Sequence, residues 1–249
     1  MKIGDIIAAL ELPPESHVDL RVAKKLLVEN GAPTSSDKRQ INDRIEELLW
    51  LAALKPTTIG VPKYRDPVRE YLEIAVLSLK LRPGAKAGRL VELIHRAVPY
   101  PVLLVSEQEN VLSVSVAHKR WSLGEEGKMV LDDSPILSEL PTGSIPQQFL
   151  ASVTLTAQPR DHLFALYQGW MDCLEAFIAF QITGLFIRPS DKEMAANRHE
   201  ALREYEKLTR QIVALRAQAT HESQMNRRVD LNLKIQSLET ELANARSHL

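Results

Sequence analysis

Residues Tyr71–Ala117 read YLEIAVLSLKLRPGAKAGRLVELIHRAVPYPVLLVSEQENVLSVSVA, and the changes of period inside this stretch decide the fold. Tyr71 to Arg82 is a leucine-rich and β-branched run, the signature of a buried strand. From Ala87 to Val98 the apolar residues Leu90, Val91, Ile94 and Ala97 recur at helical spacing. Pro101–Ser106 and Val111–Ala117 read as two more short strands, and the polar Glu107–Asn110 between them is the size of a hairpin connection. The order strand, helix, strand, strand predicts a small mixed sheet packed with helices, and hence an α+β fold.

Working outward, a further strand is expected at Met129–Leu131, after the turn Gly124–Gly127. Residues 132–159, rich in Pro, Ser and Thr, predict a long loop with one strand at Ser152–Thr156. Asp161 caps an apolar helix reaching about Ile182, with Leu163, Leu166, Trp170, Leu174, Phe177 and Ile178 along a wide stripe; Gly184 and Pro189 close it.

Towards the N-terminus the reading is helical. Ser16 heads a helix bearing Val18, Val22, Leu26 and Leu27 and ending at Asn30-Gly31, where glycine can take an αL cap. A second helix starts at Thr34–Ser36 and carries Ile41, Ile45, Leu48, Leu49 and Ala52 until Lys55-Pro56 stops it. Two helices joined by a turn raise a helix-turn-helix, but Lys38, Arg39 and Arg44 are mixed with Asp43, Glu46 and Glu47, unlike a groove-reading face. A helical cover on the core is the reading preferred.

After Pro189 come 60 residues without Gly or Pro. Ala201, Tyr205, Leu208, Ile212, Leu215 and Ala219 form one coiled-coil seam, and Leu231, Ile235, Leu238, Leu242 and Ala245 a second in a different phase. The break at 220–223 means either a hairpin of two antiparallel helices or one long helix with altered winding. The organisation expected is an N-terminal helical region (1–56), an α+β core (57–189) and a C-terminal coiled-coil arm (190–249). The arm residues Tyr205, Leu208, Ile212, Leu215, Leu231, Ile235, Leu238 and Leu242 are the expected seam for a partner: the other arm, a second copy in a homodimer, or another protein.

Charge constrains partners. The 31 Lys+Arg and 32 Asp+Glu nearly cancel, and they cancel locally: 11 against 11 in residues 1–70, 9 against 9 in 71–160 and 10 against 9 in 190–249. No charged tail exists to bind DNA, so any anion site must come from local clustering. The single cysteine, Cys173, cannot form an intrachain disulfide and reads as a buried thiol. The opening residues lack the pattern of a secretory signal, which suggests a cytoplasmic protein, and the apolar run Ala176–Ile187 is too short to span a membrane.

The candidate cluster lies at strand ends. Lys80 and Arg82 end the first strand of the quoted stretch, Lys86 and Arg89 begin its helix, and His118, Lys119 and Arg120 follow its third strand. If those two strands run parallel the groups meet and could hold nucleic-acid phosphates; if antiparallel they part, and the alternative is cations that guard sheet edges. Because this element order also occurs in restriction-type nucleases, an acidic residue followed by Glu-x-Lys was sought. Glu126-Gly127-Lys128, with Asp132 and Asp133, is the match, but a glycine-bounded turn is the wrong setting for metal-dependent phosphoryl chemistry. His95 reads as a hydrogen-bonded histidine near a helix C-terminus. No zinc spacing, Walker loop or nucleophile elbow appears, so no catalytic residue, metal or cofactor is expected.

His95-Arg96-Ala97-Val98-Pro99-Tyr100-Pro101 followed by Ser115-Val116-Ala117-His118-Lys119-Arg120 resembles a bacterial family classed as a domain of unknown function. The similarity extends to Leu54-Lys55-Pro56-Thr57 after a Trp-containing helix and to Arg227-Arg228-Val229-Asp230-Leu231-Asn232. The resemblance implies a gene neighbourhood with a helicase and a DNA methyltransferase, of restriction or antiphage-defence character. On that ground the expected function is a non-catalytic accessory protein that docks on such a helicase or methyltransferase through its arm. The alternatives are a divergent metal-dependent nuclease and a structural homodimer.

Overall fold

The computed structural model describes residues 2–141 and 145–249, in two compact units, Met1–Leu174 and Glu175–Leu249. Helix α1 (Ile3–Ala9), strand β1 (His17–Arg21), helices α2 (Lys24–Gly31) and α3 (Ser35–Arg44) and strand β2 (Ile45–Leu54) come first. A short α4 (Pro56–Ile59) and the strand pair β3 (Tyr64–Arg65) and β4 (Glu70–Tyr71) lead to β5 (Ile74–Leu81), α5 (Ala87–Ala97), β6 (Val102–Gln108) and β7 (Val111–Val116). The pair β8 (Lys119–Trp121) and β9 (Met129–Leu131) precedes β10 (Ile136–Leu140), α6 (Gln147–Ser152) and α7 (Leu163–Thr183). The helices α8 (Lys192–His221) and α9 (Met225–Ser247) complete the chain.

The architecture is α+β, as the period changes predict. Six strands form a mixed sheet in the order β1-β2-β5-β6-β7-β10. Only β5 and β6 are parallel, joined by the crossover helix α5, and every other neighbouring pair in this sheet is antiparallel. Residues in register share a face. Ile45 opposite Leu81, Leu48 opposite Leu79 and Leu77 opposite Leu104 turn to one side, where Leu27, Ile41, Leu90 and Ile94 of the covering helices join them in a single core. Residues of alternate parity, among them Leu103 and Val114, face the other side with Ile6, Leu10, Phe149 and Trp170 around a small apolar cavity. Both faces are thus covered. Each fully buried Leu, Ile or Val contributes roughly 1.5–3 kcal/mol of transfer free energy, which is why the central strand β5 is apolar at nearly every position.

The N-terminal region does carry helices, but less helix than its spacing predicts. Residues 17–21 and 45–54 are strands, not helix, and both enter the sheet. Thr34 is the N-cap of α3, its Oγ1 accepting from the Asp37 amide at 3.1 Å, and that helix stops at Arg44. Gly31 serves a close approach instead of an αL cap: a Cβ there would lie 2.7 Å from the Leu93 carbonyl oxygen and 2.8 Å from the Ala97 Cβ, so α2 packs directly on α5. In the expected loop 132–159, residues 142–144 lie outside the described residues. Either side of them the chain forms β10 and α6, and Leu155–Ala157 is a 3₁₀ turn where a strand was expected.

In the second unit the break between the two seams is a hairpin. Asp191 caps α8, accepting from the Met194 amide at 2.8 Å, and α9 packs back along α8 after residues 222–224. Among the described residues no helix is long and apolar enough to cross a membrane.

Candidate functional site

In an open sheet the crevice at the carboxyl ends of parallel strands, beside the amino end of the crossover helix, is where anionic ligands are received. Here that edge lies where β5 passes through Arg82–Lys86 into α5. Gly84 takes φ +71°, a left-handed turn that glycine adopts without strain. The antiparallel neighbours bring the end of α3 and the end of β1 to the same edge.

Four cations from four elements meet there, and each donates to a backbone carbonyl. Arg44 Nη1 donates to Pro83 O at 2.9 Å, while Arg82 Nη1 donates to Asp43 O at 3.0 Å, so the two arginines lace the β2–β5 boundary reciprocally. Lys24 Nζ donates to Asn42 O at 2.9 Å and Arg21 Nη2 to Glu46 O at 3.4 Å. Among the described residues none of the four has a carboxylate within 4.0 Å. Arg21, Arg44 and Arg82 are exposed, leaving unused guanidinium donors towards solvent. The mutual repulsion registers on Lys24: its pKa is lowered by partial burial and then by the charges of Arg82 and Arg21, with Asp43 opposing. Lys86, also exposed, is the N-cap of α5; its own side chain makes no capping bond, its amide donates to Gln40 Oε1 at 3.3 Å, and the helix dipole adds positive potential. Such an arrangement can hold phosphate or another multivalent anion without reorganising.

The expected residues part company. Arg82 and Lys86 belong to this edge. Lys80 lies on the opposite face of the sheet, in register with Glu47 on β2 and Glu107 on β6, so a carboxylate-bearing side chain flanks it on each side. Arg89 is tied to Asp37 by two hydrogen bonds of 2.9 Å and to Glu92 at 2.7 Å, an interhelical clamp and not a free cation; these bonds hold the Asp37 carboxyl well below its usual range.

Since β6 is parallel to β5 and antiparallel to β7, the group after β7 falls at the other end of the sheet. Lys119 is no phosphate ligand: it is fully buried, and its Nζ donates to the carbonyl oxygens of His95 and Val98. Those are orphan acceptors at the C-terminus of α5, so the lysine acts as that helix's cap. Burial pulls its ammonium down to about 7. His95 is buried beside it with Nε2 3.0 Å from Ser115 Oγ, and burial together with the Lys119 charge lowers it to about 3, which keeps the imidazole neutral. Arg120 pairs with Asp132 at 3.3 Å, and Arg69 pairs with the same carboxylate at 2.5 Å while lying over the Phe164 ring. His118 bridges Tyr71 at 2.5 Å and Gln168 at 2.8 Å.

Arg21, Lys24 and Arg44 escape the sequence reading because the two helices assigned across residues 16–31 and 34–55 each hide a strand end, that of β1 at Arg21 and that of β2 at Ile45. The uninterrupted apolar run Leu48–Leu54 was the available signal, since short continuous runs also mark strands buried on both faces. Glu126-Gly127-Lys128 lies in a turn where Lys128 pairs with Glu125 at 2.8 Å, and among the described residues no three His, Cys, Asp or Glu side chains gather as metal ligands. Cys173 is buried, as expected.

The seam of the arm is occupied from within. Ile212, Ala219 and Ile235 form an apolar cluster with Leu215, Leu231, Leu238 and Leu242, Leu208 is buried nearby, and Tyr205 is half-buried. Arg216 and Glu239 close the hairpin at 2.6 Å. Of the partners considered for the seam, the structure realises the other arm over its middle, from Ile212 to Leu242.

No curated protein and no solved structure matches the chain. A family model does, over residues 10–242, and on that match the chain belongs to the family described as "Domain of unknown function (DUF4391)".

Proposed function

We propose that the protein is a non-catalytic accessory component of a bacterial DNA-processing system, cytoplasmic and of restriction or antiphage-defence kind. In this reading it contacts nucleic-acid phosphates through the basic edge of the sheet while a helicase or DNA methyltransferase partner does the chemistry. The observation that carries the reading is the convergence of Arg21, Lys24, Arg44 and Arg82, anchored on carbonyls and without carboxylate partners among the described residues. Arginines held this way are pre-oriented, so less side-chain entropy is lost when a phosphate arrives. Lys86 and the amino end of α5 extend the same positive surface. The near-zero net charge fits a subunit whose DNA affinity is weak alone and gains from a partner.

The test is the salt dependence of duplex binding by fluorescence anisotropy. Each phosphate neutralised on B-DNA contributes about 0.9 to the slope of log K against log salt, so Arg44→Ala with Arg82→Ala is expected to reduce the slope by about two. An unchanged slope and affinity would overturn the reading.

A divergent metal-dependent nuclease is the rival class, and the row Glu47–Lys80–Glu107, two acidic residues flanking a lysine, is the nearest arrangement to its site. That row sets its two carboxylate-bearing residues two strands apart, roughly 9.6 Å between backbones, wider than one divalent ion readily spans. A digestion assay with Mg²⁺ or Mn²⁺ on the purified protein decides between the two.

A further inference from the structure

We infer that the open end of the helical hairpin is a protein-docking groove for a basic amphipathic helix. The inference goes beyond the phosphate reading and does not rest on it, since it concerns the second unit alone. Helix α8 has 30 residues and α9 has 23, so α8 is longer by about 10 Å at 1.5 Å per residue. Packing back from the turn, α9 runs out before α8 begins. A groove of about 1120 Å³ lies at this end, between the first turns of α8 and the last turns of α9. Its floor includes Met194, Ala201, Leu208 and Ala245, apolar residues of which the two alanines leave the helices unfilled in the middle.

The shape asks for a third helix, because two helices offer a trough between their ridges that a third can fill. The charge says which kind. Asp191, Glu193, Glu200, Glu204 and Glu241 all line the groove, Glu204 paired with Lys207 at 2.9 Å, whereas of the basic residues among its walls, Arg198 and His248, the arginine has Nη1 committed to the Ile187 carbonyl at 2.7 Å. Nucleic acid is repelled by such a rim, and an acidic helix equally. A helix with Leu or Met on one face and Lys or Arg on its flanks satisfies floor and rim together. The basic edge of the sheet and this groove therefore select partners of opposite sign.

The test uses the full-length protein and a synthetic Leu/Lys amphipathic peptide of about 18 residues, long enough to form a helix on contact. The same composition in scrambled order and a Leu/Glu analogue serve as controls. Titration followed by amide NMR is expected to shift residues 193–208 and 241–249 and to leave the exposed outer face of α9 (Met225, Val229, Leu233) unmoved. Glu204→Lys with Glu241→Lys should weaken the peptide about tenfold or more, and Ala245→Trp, which fills the trough but keeps the charges, should weaken it comparably. Melting of each variant within the wild-type range shows that the loss is local. Equal binding of the scrambled peptide, shifts on the outer face of α9, or a dimer of the protein that blocks the groove without peptide would each overturn the inference. Because duplex DNA is absent from this experiment, its failure leaves the salt-slope test of the basic edge untouched.

Discussion

Arg82 and Lys119 each follow closely on a strand of one sheet, both are basic, and both donate to backbone carbonyls, yet they do unlike work. Arg82 stands where two parallel strands end and a helix begins, so its neighbours Arg21, Lys24 and Arg44 add like charge and its spare donors meet water. Lys119 stands where that same helix ends, so the carbonyls it meets are orphan acceptors and its charge is consumed inside the fold. Strand direction, more than residue type, decides whether a basic side chain is available to a ligand or belongs to the scaffold. The comparison can be broken from either side.

The largest effect is expected at the buried end. Lys119→Ala leaves two carbonyls without a donor and opens a cavity, and should cost about 3 kcal/mol in chemical denaturation, with duplex binding per folded molecule unchanged. A stable variant with weakened DNA binding would reverse the assignment of the two ends. Next comes acid. The folded pKa of His95, about 3, lies below the 6.5 of the unfolded chain, so between those values the unfolded state takes up a proton that the native state refuses. Stability is therefore present above pH 6.5 and lost as pH falls towards 3. His95→Gln, which keeps a polar group for Ser115, should make the acid limb shallower by one proton, about 1.4 kcal/mol per pH unit at its steepest. Guanidinium denaturation curves between pH 4 and 7 measure it, and parallel limbs for the two proteins would mean that His95 is protonated in the fold. The smallest effect is expected at Arg120: its partly exposed pair with Asp132 should contribute no more than about 1 kcal/mol, and Arg120→Ala should leave the salt slope of DNA binding as it is.

How much of this was legible depended on burial. β5, α5, β6 and β7 declared themselves because their periods alternate within a few residues, and β9 because glycines bracket its approach. β2 did not: Ile45, Leu48, Leu49 and Ala52 fit a helical stripe as well as a strand, and a strand covered on both faces loses the alternation that would separate the two. Misplacing it, and β1 with it, concealed Arg21, Lys24 and Arg44, whose convergence is tertiary and leaves no local pattern. The fate of Lys119 was hidden for the same reason, since nothing near residue 119 announces that the end of a helix 21 residues earlier needs a donor. The two seams of the arm were readable from spacing, and their phase mismatch marked a break; whether that break was a hairpin or a change of winding, and which surface the seams would meet, was not written in the spacing.

The capping of α5 by Lys119 also sets an order of assembly. During synthesis the helix emerges complete in sequence at Val98, but its last carbonyls lack their buried donor until the chain has grown past β7. A nascent chain halted anywhere between those points would hold α5 with a frayed end, free to unwind and vulnerable to proteases. Fragments cut within that interval should be poor candidates for independent expression, since the N-terminal piece keeps the helix and loses its donor.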